Sequence, residues 1–445
     1  MLTADGADLL ALVELALAEA RTLGASQAEA AISMDVGLSV SARLGEVETI
    51  EYQRDRGMAV TVYFGTRKGS ASTGDLGAAA LRETVAKACT IAKYTAEDPC
   101  AGLPDEQDLA QEVPGLDLSH PWDISPERAC DLAIACEAAA MAVDTRRITN
   151  SEGAAVSTHR GLRAYGNSLG FLAAYPGTVH SISCSVLGTE GEQMERDYWY
   201  STVRDWRELE SAASVGRRAG ERTIGRLGAR KLATMKAPVL YAPDVARGLI
   251  GHFIGAIRGG SQYRRASFLL EAAGQRVFPD WFALSERPHL LKALASAPFD
   301  HEGVTTRDRE LVEAGVLLGY VLSTYSARKL GLRTTGNAGG THNLLVHGRG
   351  RDFDQMLQLM DRGLYVTELM GQGVNGVTGD YSRGASGFWV ENGEIAYPVN
   401  EVTVAGNLRD MLRRITPAND ARAHLSTLAR EAVANSALLL SATEL

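Results

Sequence analysis

The chain has 445 residues, enough for about three domain-sized units. Hydrophobic residues make up 45% and charged residues 22%, a balance that excludes a disordered chain. With 45 basic against 54 acidic residues, a net charge of -9 and no Lys/Arg-dense block, general binding to nucleic-acid backbone is disfavoured.

Residues 5–23 read as a helix, with Leu9, Leu12, Val13 and Leu17 near helical spacing and Gly24 as a stop. Met1 to Ala20 lacks a basic start and is broken by Asp5, Asp8, Glu14 and Glu19, so it reads as neither signal peptide nor anchor. No stretch elsewhere is long and apolar enough to span a bilayer. The period then changes to two. Short alternating runs at 47–52, 58–64 and 67–73, punctuated by Gly37, Gly45, Gly57 and Gly65, predict an antiparallel meander, followed by a helix over 77–94. The same order recurs. Ser125-Pro126 opens a helix to about Val143, residues 147–203 are strand-like, and Trp206 to Leu227 is helical. The proline-rich 96–124 between them is the linker candidate. The five cysteines (Cys89, Cys100, Cys130, Cys136, Cys184) are odd in number and form no CxxC pair. Cys89, Cys130 and Cys136 read as reduced core residues, and a cytoplasmic location is expected.

From Ala237 a third unit begins with a short strand, Ala237 to Tyr241, running into a helix after Pro243-Asp244. Asp244 is expected to cap that helix. Val245, Leu249, Phe253 and Ile257 mark its buried face, and Gly259-Gly260 ends it. Arg309–Glu313 and Val316–Thr324 are expected to pair across Gly315. Phe388–Glu391 and Glu394–Tyr397 flank Asn392-Gly393, a strong hairpin signal. The fold class is α+β: repeated helix–antiparallel meander–helix units followed by a larger, mostly antiparallel β C-terminal domain. The expected domains are 1–95, a linker over 96–124, 125–228 and 229–445.

The stretch 234–270, TMKAPVLYAPDVARGLIGHFIGAIRGGSQYRRASFLL, resembles the central segment of the TldD/PmbA family, formerly described as modulators of DNA gyrase. The resemblance extends to RKGSASTGDL (67–76), KYTAEDP (93–99), STYSARKLGL (323–332) and VTELMGQGVNGVTGDYSRGASGFWVENGEI (366–395), and weakens after about Pro417. It implies a metallopeptidase built from two kinds of subunit. The TldD type carries HExxxH on this helix and a downstream cysteine. Two neutral imidazoles and a thiolate hold zinc with one position open to water, and the glutamate takes the water's proton. In this chain the first histidine position falls on Gly251, the glutamate position on His252 and the second histidine position on Ala256, and no cysteine follows Cys184. The resemblance therefore implies a non-catalytic TldE/PmbA-type subunit, with no cofactor of its own. Zinc is expected in a TldD-type partner. The expected assembly is a heterodimer with that partner, or a homodimer in isolation, that encloses unfolded peptides for degradation or trimming. His252, Tyr263 and Arg264 are the candidate cavity-lining residues.

Two alternatives differ in class. The chain could hydrolyse peptides itself through an unrecognised metal site around His252, or regulate DNA topology, against which the net charge speaks. Other constellations carry less. His252 either faces a cavity or is satisfied on a helix face. Asp300-His301-Glu302 reads as a solvated turn, because neighbours in extended chain point to opposite sides. Gly339-Gly340-Thr341-His342-Asn343 and Gly371-Gln372-Gly373 lack the lysine of a phosphate loop and read as glycine-rich loops at strand ends. Ser382 lies outside any GxSxG elbow. The glycine-flanked strands over 366–391 are candidates for a sheet edge that pairs with peptide backbone, with proline at Val377 as a probe.

Overall fold

A computed structural model describes residues 6–347, 351–417 and 438–444. The meanders form as the alternation predicts, in the order α1 (Gly6–Thr22), β1 (Gln27–Arg43), β2 (Glu46–Phe64), β3 (Arg67–Thr73) and α2 (Ala78–Tyr94). The second unit is α3 (Pro126–Met141), β4 (Ile148–Asn167), β5 (Leu172–Glu190), β6 (Gln193–Val203) and α4 (Ala212–Arg226). Gly45 and Gly65 make the turns, at φ of +79° and +61° where a side chain is disfavoured. Gly37 and Gly57 do not. They lie inside β1 and β2, so the runs at 47–52 and 58–64 are one continuous strand.

The two meanders share one six-stranded sheet in the order β3-β2-β1-β4-β5-β6, because β1 pairs antiparallel with β4 from Glu29↔Asn167 to Ala42↔Ala154. Period-two alternation then gives the sheet two unlike faces. Ala28, Ala30, Ile32, Leu38, Val40, Val156, Ala164 and Ile182 point to one face, which the four helices cover. The intervening positions of β1, β4 and β5, among them Asp35, His159, Arg163 and Tyr175, line cavities on the other.

The C-terminal part begins with β7 (Lys236–Tyr241), α5 (Pro243–Ile257), α6 (Gly259–Tyr263) and β8 (Ala283–Glu286). It continues through β9 (Arg309–Glu313), β10 (Val316–Leu317), α7 (Thr324–Leu330), β11 (Leu344–His347), α8 (Phe353–Met360) and β12 (Gly363–Met370). The last elements are β13 (Asp380–Glu391), β14 (Glu394–Asn407), α9 (Leu408–Arg413), β15 (Ile415–Pro417) and β16 (Leu438–Glu444). A four-stranded sheet runs β10-β9-β8-β11 and a six-stranded one β14-β13-β12-β7-β16-β15, antiparallel except for β7 beside β12. Apolar residues of α5 pack on one face of the larger sheet, against Val239, Tyr241, Val366 and Trp389. Met356, Leu357 and Met360 of α8 cover Leu240 and Val390 on the other. The fold is α+β with mostly antiparallel sheets.

Three local expectations change. Asp244 does not cap α5, whose N-cap Ala242 makes no side-chain hydrogen bond. Its carboxylate lies 3.5 Å from Nη1 of Arg222, so an ion pair to α4 replaces the cap. Helix α5 ends at Ile257, just before Gly259-Gly260 as expected, but the glycines open the next helix instead of serving as the cap. The backbone turns extended at Arg258 and α6 starts at Gly259, where a Cβ would lie 2.3 Å from Ser326 Oγ. The hairpin at Gly315 forms, but β10 stops at Leu317.

Candidate functional site

Helix α5 follows β7 directly, so its first turn starts at the end of the C-terminal sheet. Leu249, Ile250, Phe253, Ile254 and Ile257 are buried. The opposite stripe is bare, since a Cβ at Gly248, Gly251 or Gly255 would meet nothing within 4 Å. Ala256 is buried among the apolar residues.

His252 sits between these faces. Its ring meets Tyr381 of β13 edge-on, with centroids 6.1 Å apart. Among the described residues, His252 Nε2 and Arg383 Nε are buried without a hydrogen-bond partner, and the buried hydroxyls of Tyr241 and Tyr381 meet no partner but each other. His252 is therefore not the satisfied helix-face histidine that the plainer reading expects. Burial, reinforced by the charge of Arg383, holds its imidazole below the usual histidine range. Tyr263 and Arg264 have other neighbours. The Arg264 guanidinium donates to Tyr263 Oη at 3.1 Å, and the Tyr263 ring meets Tyr325 of α7 at 5.9 Å.

These residues do not fit a zinc ion. Gly251 offers no donor and Ala256 only a methyl group, and the single imidazole stands near a guanidinium, which repels a cation. Among the described residues no three His, Cys, Asp or Glu side chains are grouped to hold a metal.

The unpaired imidazole has a consequence for stability. A folded-state pKa below the unfolded value means that the neutral form contributes stability above the unfolded pKa, and that this is lost as pH falls through the lowered folded pKa. His252→Phe keeps the ring and removes the orphaned nitrogen. We expect the variant to be about 1 kcal/mol more stable at pH 7.5, with a larger advantage at pH 5. Urea midpoints at the two pH values check this, and an equal difference at both would show that the imidazole is not titrating on unfolding.

Elsewhere the structure corrects two readings. Asp300 is buried, not solvated: Oδ1 accepts from the backbone N–H of Glu302 and Val304, and Oδ2 from that of Ala338. Burial, with Glu302 nearby, pushes its carboxyl up to about 7. The strands over 366–391 are mainly interior, since β13 is paired on both sides from Gly384 to Val390. Beyond Val366, β12 has no strand on its β7 side among the described residues. Val377 lies in the intervening turn, its N–H donating to Asn375 Oδ1 at 2.9 Å. Sequence reasoning missed the polar row Asp35, His159 and Arg163. Its signal was present in the alternation of β1 and β4, whose other face is apolar.

Three consecutive family models match the chain: PmbA/TldA metallopeptidase domain 1 over 28–92, the central domain over 119–227 and the C-terminal domain over 234–441. A protein of Escherichia coli O157:H7 named Metalloprotease PmbA is 53% identical over 394 residues, 88% of this chain and 87% of that one. The chain belongs to the PmbA/TldD family. In this chain the six-stranded sheet is built jointly by domain 1 and the central domain, because β1 to β3 fall essentially in the first and β4 to β6 in the second. A crystal structure of a putative modulator of DNA gyrase from Bacteroides thetaiotaomicron matches at a TM-score of 0.91 and 26% identity, covering 99% of each chain. TldE from Thermococcus kodakarensis matches at a TM-score of 0.79 and 19% identity, over 97% of this chain and 99% of that one, which establishes the shared fold. The chain is thus a metallopeptidase-related protein of this family. Among its described residues no helix is long and apolar enough to cross a membrane.

Proposed function

We propose that this chain is the metal-free subunit of a two-subunit cytoplasmic peptidase, paired with a TldD-type chain that holds the zinc, and that the two enclose unfolded peptide. The observation that carries this reading is α5 itself. It keeps the buried face of a structural helix while the three positions of the metal motif hold Gly251, His252 and Ala256. The bare stripe at Gly248, Gly251 and Gly255 supports close approach of a partner or of substrate backbone. The side of Thr367 to Met370 that no strand pairs among the described residues supports addition of an extended peptide, whose backbone would supply ladder partners without regard to its side chains.

The test is zinc content and peptidase activity of the chain alone and after mixing with a TldD-type chain from the same cell. We expect neither zinc nor cleavage alone, and one zinc per heterodimer with chelator-sensitive cleavage in the mixture. Stoichiometric zinc and turnover by the isolated chain, lost in His252→Ala, would overturn the reading.

A further inference from the structure

The face of the six-stranded sheet that the helices leave free bounds two adjoining cavities. The first, about 320 Å³, lies between β1, β4 and β5 on one side and the 294–301 and 338–342 loops on the other. Its floor is glycine. Gly161 of β4 pairs with Gly177 of β5, and a Cβ at Gly161 would lie 2.4 Å from Asp35 Oδ1. Its walls are cationic. Arg204 is fully engaged, donating to the carbonyls of Ala293 (2.9 Å), Leu294 (2.7 Å) and Thr178 (3.3 Å), so it straps the loop to the sheet, yet no carboxylate pairs with it among the described residues. Arg163 has neither hydrogen bond nor ion pair among the described residues, and its charge is felt by both Arg204 and His301. His159, His301 and His342 also line the cavity, and Asp35 is its one carboxylate among the described residues. Gly339 and Thr341 stand in the wall, and their amides donate no hydrogen bond among the described residues.

The second cavity, about 640 Å³, is lined largely by apolar and aromatic groups, among them Ala31, Ala59, Tyr165 and Phe299. Arg163, Tyr175, Phe299 and His301 border both. An apolar chamber therefore opens onto a small cationic one.

We propose that the paired cavities bind the free C-terminus of a peptide, with the carboxylate in the cationic chamber and an apolar terminal side chain in the other. The proposal rests on the peptide-handling reading above. The combined volume is that of a small-ligand site. Arg163 and the Gly339 amide are open to solvent and have no protein partner among the described residues, so the chamber offers a charged and a neutral donor to an anion that enters it. A simple inorganic anion would leave the apolar chamber unused, whereas a peptide end supplies both parts on one ligand. Arg163 would supply the ionic contact, the Gly339 and Thr341 amides the neutral donors, and Arg204 would hold the loop in place.

The experiment measures fluorescence anisotropy of an N-terminally labelled hexapeptide ending in leucine, offered to the full chain as the free acid and as the C-terminal amide. The acid should bind about 10-fold or more tightly than the amide, the loss expected for a charge-assisted hydrogen bond. Arg163→Gln, which breaks no internal ion pair, should abolish the difference while leaving circular dichroism and melting unchanged. Equal binding of acid and amide, or discrimination that survives Arg163→Gln, would overturn the proposal. So would competition by decanoate as effective as by unlabelled peptide acid, since the site would then recognise an apolar carboxylate rather than a peptide end. If acid and amide bind alike while the mixture with a TldD-type chain still takes up zinc and cleaves, the pocket assignment fails and the subunit reading stands.

Discussion

Replacing Glu286 by alanine will destabilise the protein by about 3–5 kcal/mol, the cost of stranding one member of a buried ion pair. Glu286, at the end of β8, is 1% exposed. Its Oε2 accepts from Arg309 Nε at 2.7 Å, and its Oε1 from Asn337 Nδ2 at 2.8 Å and from the backbone N–H of His342 at 2.7 Å. One carboxylate thus ties β9, the turn at Asn337 and the start of the strand approach to β11. Alanine removes all three hydrogen bonds and leaves a guanidinium of low exposure without its counter-charge. Glu286→Gln should cost less, since an amide oxygen can serve Asn337 and His342, but its NH₂ would face Arg309 as donor to donor. Urea unfolding of the three proteins checks the order, and an alanine variant within 1 kcal/mol of the parent would show that water replaces the lost acceptor. Because His342 borders the cationic cavity and loses its acceptor in Glu286→Ala, the alanine variant should also weaken binding of the peptide acid.

The second large effect is at Gly216, where two familiar rules oppose each other. Glycine to alanine inside a helix ordinarily gains about 1 kcal/mol. At Gly216 of α4, however, a Cβ would lie 1.9 Å from the carbonyl oxygen of Cys136 and 3.1 Å from the amide nitrogen of Ala140, both backbone atoms of α3. Helix backbone cannot swing aside as a side chain can, so α4 must move off α3 and open the core around Ala133, Val215 and Ala219. Overpacking of this kind costs about 1–3 kcal/mol and exceeds the propensity gain. We expect Gly216→Ala to be destabilised and Gly216→Val more so. Gly225, in the same helix, is the matched control: its Cβ would meet only Phe388, at 3.7 Å. Gly225→Ala should therefore be stabilised by up to about 1 kcal/mol. Thermal melts of the pair decide the matter, and a stabilised Gly216→Ala would mean that α3 and α4 are free to separate.

Local chemistry made much of the fold legible. Ser125 caps α3 as its sequence implies, accepting from the N–H of Arg128 at 3.2 Å with Pro126 behind it. Asn392 and Gly393 take φ of 55° and 73°, the turn that a two-residue hairpin needs. The positions that decide the metal site are consecutive or one helical turn apart, so they could be compared without knowing the fold. The cavities could not. Asp35, Arg163 and His301 are far apart in sequence, and nothing local says that Gly161 will lie beside Gly177.

What the sequence determined by itself was therefore what short-range physics controls: the alternation of the meanders, the caps and turns, the helical face of α5, and the family to which its motifs point. The tertiary structure alone decided that β1 would pair with β4 and merge two units into one sheet, that Asp244 would serve an ion pair in place of a cap, and that Gly37 would sit mid-strand. It also left His252 Nε2 without a hydrogen-bond partner among the described residues and brought Arg163 and Arg204 to one cavity. The reason is common to all of these. Strand pairing and the satisfaction of polar groups are settled between residues distant in sequence, where many partners are compatible with the local pattern and only the packed whole selects one.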